Sequence, residues 1–164
     1  MMETFTFFWD GPFSQWHPCS FRLDGERYNC AEQFMMAEKA RYFMDDEVLN
    51  AIMRADHPRD QKQLGREVSG FDTAEWEHKE SNGRPYCWNV VYRANIAKFS
   101  QDPQLLKALL RTQGTTLVEA SPVDSIWGIG LAADDQRAHD RSTWLGTNWL
   151  GEVLTEVRNS FADS

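Results

Sequence analysis

The sequence predicts a mainly α-helical single domain with a small N-terminal β-hairpin and sheet. Three observations carry this. Six or so stretches have helix-start signals followed by apolar residues at helical spacing, whereas only two or three short stretches alternate as strands do. The 164 residues suit one domain, taken as 1–164, and are enough to bury a sizeable core. Hydrophobic residues at 41% and charged residues at 26% are ordinary for a soluble globular chain, with no internal repeat or low-complexity tail to suggest otherwise.

Each element has its reason. Residues 4–8 alternate polar and apolar as a half-buried strand, and Trp9-Asp10-Gly11-Pro12 breaks it. Residues 13–18 form a loop presenting Phe13 and Trp16. Residues 20–28 read as a hairpin turning at Asp24-Gly25, a pair that accepts positive φ. The hairpin feeds a helix that starts at Asn29 as N-cap and runs to about Ala40, which makes the aromatic loop a neighbour of that helix start. Asp45 or Asp46 caps a second helix to about Met53, and Pro58 opens a third over residues 59–68. Residues 69–84 are polar, a loop around a short turn at Ala74-Glu75-Trp76. A longer helix runs from Pro85 or Tyr86 to Phe99. Asp102-Pro103 starts the next, which ends near Thr112 with Gly114 as the stop. Residues 115–120 are a short strand, 121–142 a long loop, and 148–161 the closing helix.

Composition narrows the function. A net charge of −8 argues against sequence-tolerant binding along a nucleic-acid backbone, which needs a basic surface. It still allows a local basic pocket for one or two phosphates. No apolar run reaches the length of a membrane span, and the N-terminus lacks a basic segment followed by an apolar core, so no membrane association is expected. Cys19, Cys30 and Cys87 are odd in number and form no CxxC pair, which fits a reducing cytoplasmic compartment. His17, His57, His78 and His139 have no metal-ligand spacing. Seven Trp and ten Phe exceed what a core of this size packs cheaply, so some are expected to line a cleft where flat ligands stack.

Three stretches carry chemistry-bearing residues. In Asn29-Cys30-Ala31-Glu32-Gln33-Phe34-Met35-Met36-Ala37-Glu38-Lys39-Ala40, Glu32 and Lys39 are seven residues apart. At about 100° per residue they share one helix stripe with Met36, about 10 Å apart along the axis. Two readings stand. Either the two heads converge on a small ligand, or Asn29-x-x-Glu32 is a capping box and Lys39 a solvated lysine. In Asp124-Ser125-Ile126-Trp127-Gly128-Ile129-Gly130 the glycines permit close backbone approach and Trp127 offers a stacking face, but no Lys follows, so this is no P-loop. The alternative is a tight loop whose Trp plugs the core. In Gly146-Thr147-Asn148-Trp149-Leu150-Gly151, Asn148 is a helix cap, and a helix start after Gly and Thr is also an anion site. Glu32, Asp124 and Glu119 are the carboxylates available for acid–base work. Such groups suit cleavage of a C–N glycosidic bond, which needs help for the leaving base and for positive charge on the sugar. A desolvated Lys can instead attack a carbonyl-like carbon.

Taken together these motifs resemble the NADAR (NAD- and ADP-ribose-associated), or YbiA-like, family over nearly the full length. The resemblance rests on Phe8-Trp9 with Phe13-Ser14-Gln15-Trp16, on the Tyr28-to-Ala40 motif, and on Ala97-Lys98-Phe99-Ser100-Gln101. It continues through Leu117-Val118-Glu119-Ala120-Ser121-Pro122, Asp124, Trp127-Gly128-Ile129-Gly130 and Gly146-x-Asn148-x-Leu150-Gly151. It implies a mainly α YbiA-like fold and N-glycosidase activity without metal or organic cofactor. Substrates in the family are phosphoribosylamino intermediates of riboflavin biosynthesis or ADP-ribosylated guanine. The partner expected here is thus a small ribosylated base, or at most a single flipped base in nucleic acid, with oligomeric state open. Carried over by position, the catalytic set is Glu32, Lys39 and Asp124. The substrate-binding set is Phe8, Trp9, Phe13, Ser14, Trp16, Trp76, Trp127, Gly128 and Asn148, with Thr147 beside Asn148 for phosphate. Trp88 rivals Trp76, because residues 77–84 read as an insertion. Trp149 replaces an aliphatic residue. A non-catalytic ADP-ribose- or nucleotide-binding module is the alternative, and a peptide-binding interaction domain a third.

Overall fold

The computed structural model describes residues 2–163. In chain order its elements are β1 (Phe5–Phe8), β2 (Phe21–Leu23), β3 (Glu26–Tyr28), α1 (Ala31–Tyr42), α2 (Asp46–Arg54), α3 (Pro58–Arg66), α4 (Thr73–Trp76), α5 (Tyr86–Ser100), α6 (Pro103–Leu110), β4 (Thr116–Glu119) and α7 (Trp149–Ala162). Helix dominates, as the residue patterns predict. The chain divides into two units: Gln15–Gln101, and the stretch up to Ser14 joined with the stretch from Asp102 onward.

The Gln15–Gln101 unit is built around α1. Ala31, Phe34, Ala37 and Ala40 have no exposed surface, because α2, α3 and α5 all pack on this helix. Small residues are what let so many neighbours approach. The β2–β3 hairpin pairs Phe21 with Tyr28 and turns at Asp24 (φ 52°) and Gly25 (φ 84°), as expected from that pair. Its Phe21 and Tyr28 rings stack 5.6 Å apart, and Tyr28 meets Phe34 of α1 edge-on at 5.1 Å. Asp45 caps α2 by accepting from the Val48 N–H, and Pro58 occupies the first turn of α3. The predicted insertion at 77–84 is a closed turn, with the Tyr86 N–H donating to the His78 carbonyl at 2.8 Å.

The start of α1 corrects the sequence reading. Asn29 is not its cap: Cys30 holds that position and makes no side-chain capping bond. The bond back to the Asn29 N–H comes from Gln33 Oε1 at 2.8 Å, so no capping box forms with Glu32. The Asn29 side chain instead donates to the Ala55 carbonyl (3.3 Å) and accepts from Gln61 Nε2 (2.9 Å). It ties α1 to the α2–α3 junction. A cap signal read from local sequence loses here to a tertiary bond.

In the other unit β1 pairs in parallel with β4, Phe5 opposite Thr116 and Phe8 opposite Glu119. The small sheet is therefore not wholly N-terminal: the hairpin stands by itself, and the first strand finds its partner far along the chain. The helix α7 packs on β4. Val118, Ile129, Leu131 and Ala138 form a core against which Phe5, Phe7 and Trp144 pack. The expected 121–142 loop contains two short 3₁₀ turns, Gln136–His139 and Arg141–Thr143, whose N-cap side chains are Asp135 and Asp140.

Candidate active site

In the Gln15–Gln101 unit, Glu32 and Lys39 both lie on α1, and the Glu32 charge acts on Lys39. Glu32 is buried, 8% exposed, and its N–H donates to the Gln15 carbonyl at 3.0 Å. Gln15 is itself held by Asn95 of α5, whose Nδ2 donates to Gln15 Oε1 at 3.0 Å. Lys39 is half-buried, with Nζ 4.2 Å from the centre of the Phe71 ring. Burial pushes the Lys39 pKa below its ordinary value; the Glu32 charge opposes this, and the Arg66 charge adds to it. The reading of Lys39 as a fully solvated lysine is thus set aside. Between the two ends lies Met36. A Cβ on Gly65 would sit 2.1 Å from the Met36 sulfur, so α3 presses onto the stripe at the one residue that leaves room.

The aromatics of this unit have distinct places. Phe71 meets Phe43 at 5.3 Å, and Phe43 meets Trp76 at 6.4 Å. Trp76 is 5% exposed and also packs on Tyr86 at 5.7 Å. Trp76 is thereby joined to Lys39 through two rings. The rival Trp88 is buried on α5, stacked on Tyr92 at 5.6 Å and under the Arg84 guanidinium at 4.4 Å. Trp16 is 39% exposed, edge-on to His57 at 6.2 Å.

In the other unit the candidate residues build a folded knot. Asp124 Oδ1 accepts from the N–H groups of Ile126 (2.9 Å) and Trp127 (2.8 Å), shaping the loop that carries Trp127. The Trp127 ring is half-buried and meets Trp149 edge-on at 5.6 Å. The aromatic in place of an aliphatic residue therefore buttresses the loop Trp. A Cβ on Gly128 would lie 2.9 Å from the Glu119 carbonyl and 3.0 Å from that of Asp124. What approaches this glycine closely is the chain's own backbone. Phe8 is buried against Phe13 at 5.8 Å, the Ser14 N–H closes a turn on the Gly11 carbonyl, and Trp9 is 65% exposed.

Asn148 and the anion site expected at α7 need correction. Asn148 adopts the left-handed conformation (φ 54°) and makes no side-chain cap. It has no exposed surface; Oδ1 accepts from the Glu119 N–H at 3.0 Å and Nδ2 donates to the Leu117 carbonyl at 3.1 Å. The N–H groups of Trp149 and Leu150 donate to the carbonyls of Ile126 and Trp127 at 3.1 Å each. The Thr147 hydroxyl donates to the Ile126 carbonyl. The groups that would have cradled a phosphate are spent on the loop and on β4.

The sequence motifs give no individual role to Gln15 and Asn95, which brace the start of α1 at Glu32, or to Lys98. Lys98 is 1% exposed, and burial pushes its pKa down to about 8 against the opposing influence of Cys19 and Cys30. The i, i+3 spacing of Asn95 and Lys98 on a helix was the available signal. Among the described residues no helix is long and apolar enough to cross a membrane.

The central helix of this mainly helical chain thus carries a buried carboxylate and a half-buried amine on one stripe. The NADAR domain model matches residues 7–162, and the chain belongs to this family. It is 43% identical over 152 residues to "N-glycosidase R617" of Acanthamoeba polyphaga mimivirus, covering 89% of this chain and 85% of that protein. It is 43% identical over 136 residues to "Protein irg-1" of Caenorhabditis elegans, covering 80% of this chain but only 60% of the relative. The NMR structure of the E. coli protein YbiA superposes with a TM-score of 0.77 at 27% identity, covering 99% of this chain and 88% of that one.

Proposed function

We propose that this chain is an N-glycosidase that hydrolyses the C1′–N bond of a ribosylated base, with residues 1–164 acting as one NADAR domain. The observation that carries the reading is the pair on α1: a buried Glu32 and a desolvated Lys39 on one stripe, with the Glu32 charge acting on Lys39. The R617 relative, named an N-glycosidase, supports the same reaction class.

The reaction replaces C1′–N with C1′–O, and the departing nitrogen takes a proton. Glu32 handles that proton, at the leaving base or at the attacking water; a carboxylate out of water suits such transfer. Lys39 attacks C1′ of the opened sugar, displacing the base through a Schiff base that water then hydrolyses, or holds the sugar hydroxyls. Its lowered pKa favours the first role, because only the neutral amine is nucleophilic. By family resemblance Asp124 and Trp127 contact the sugar and base, Phe8, Trp9, Phe13, Ser14, Trp16 and Trp76 are further substrate-binding residues, and Asn148 acts by tying the start of α7 to β4. The substrate class is a phosphoribosylamino pyrimidine or ADP-ribosylated guanine, acted on in the cytoplasm.

Assaying free base from both substrates with wild type and Glu32→Gln tests this. Release by wild type and its loss in the folded variant is the expected result. Tight ligand binding by both proteins with no base released would make the chain a binding module.

A further inference from the structure

The helix α3 carries Arg59, Lys62 and Arg66 at i, i+3 and i+7, a spacing that sets all three on one face. All three are exposed, on a chain whose net charge is −8. With Trp16, Asp60 and Gln63 they line a cleft of about 430 Å³. Asp60 is the sole carboxylate of that lining, 3.9 Å from Arg59 Nε, and both side chains are largely in solvent, so the pairing is weak. Among the described residues no carboxylate lies within ion-pair distance of Lys62 or Arg66. Lys62 Nζ lies 5.9 Å from the Trp16 ring. Unneutralised cations beside an exposed aromatic face are the elements that recognise a phosphate ester carried on a sugar and base.

The cleft is also tied to the catalytic stripe at both ends. Trp16 follows Gln15, whose carbonyl takes the Glu32 N–H. Arg66 follows Gly65, which lies against Met36 midway between Glu32 and Lys39, and the Arg66 charge is felt at Lys39. The start of α7, with its N–H groups engaged, offers no competing anion site.

We propose that Arg59, Lys62 and Arg66 of α3, together with Trp16, form the site that binds the phosphate or pyrophosphate of the ribosylated substrate. This rests on the N-glycosidase reading for the identity of the ligand, not for the existence of the site. Phosphate selects phosphorylated over plain ribosides and holds C1′ at the α1 stripe.

The test titrates ribose, ribose 5-phosphate and ADP-ribose into ¹⁵N-labelled protein, wild type and the variants Lys62→Gln, Arg66→Gln and Lys62→Arg, each checked for native unfolding temperature. Both phosphate compounds should bind with amide shifts on α3 and weaken with salt, and ribose should bind at least about tenfold more weakly. Each Gln variant should weaken the phosphate compounds about tenfold and leave ribose unchanged, and Lys62→Arg should retain binding. A monoester site favours ribose 5-phosphate; a pyrophosphate site favours ADP-ribose. Equal binding of ribose and its phosphate, wild-type affinity in both Gln variants, or absence of binding would overturn the assignment. Unaltered base release by those variants would refute the phosphate site and leave the glycosidase; phosphate binding on α3 without base release would do the reverse.

Discussion

Replacing Asn148 tests how the start of α7 is fixed to β4. Its amide bonds the Glu119 N–H and the Leu117 carbonyl at 3.0 and 3.1 Å with no exposed surface, in a left-handed backbone (φ 54°, ψ 40°). Asn148→Ala strips partners from two backbone groups of β4, at about 1–3 kcal/mol each when the group is left buried. It adds about 1 kcal/mol because alanine lacks the side-chain contacts that let asparagine adopt this conformation. The sum is about 5 kcal/mol, a large share of the roughly 5–15 kcal/mol available to a domain. Asn148→Gly loses the same bonds without the backbone term, so it should be about 1 kcal/mol more stable than Asn148→Ala. Urea unfolding followed by circular dichroism measures both. A loss under about 1 kcal/mol for Asn148→Ala, or a glycine variant less stable than the alanine variant, would refute the assignment.

Other outcomes follow from single residues. Lys98 moves from an ordinary 10.5 to about 8, so its penalty is fully present below pH 8 and is relieved as pH rises toward 10.5. Stability of wild type relative to Lys98→Met should therefore climb by about 3 kcal/mol across that window in pH-dependent unfolding; a flat difference would contradict the burial. Gly65→Ala places a Cβ against the Met36 sulfur and should cost about 1–3 kcal/mol, with partial rescue by Met36→Ala in the double variant; additive losses would disprove the contact. Borohydride with substrate should trap an adduct on Lys39; no adduct together with full activity in Lys39→Ala would remove the covalent route.

Much of the helical pattern was legible because its signals are local. Asp45, Pro58 and Asp102-Pro103 each act within one turn of themselves, and the structure places them at helix starts. The Glu32 and Lys39 stripe was likewise readable, since helical periodicity alone aligns them. What local sequence does not contain is the partner. Asn29 and Asn148 both read as caps, yet each side chain bonds a distant element. The pairing of β1 with β4 needs a contact between segments far apart in the chain, which short strands do not encode. Gly128 reads as room for a ligand because a glycine's neighbour is invisible in sequence; it proved to be the chain itself. The basic face of α3 follows from its i, i+3 and i+7 spacing, whereas a net charge of −8 averages over the whole chain and does not register a local cationic face.

The most direct measurement is product analysis by mass spectrometry, with an aminopyrimidine ribose phosphate and ADP-ribosylated guanosine incubated side by side with wild type and Glu32→Gln. Wild type should release a free base from at least one of them, and the folded variant should be slower by about a hundredfold or more. Intact substrates with wild type, or equal rates for the two proteins, would contradict a catalytic carboxylate on α1.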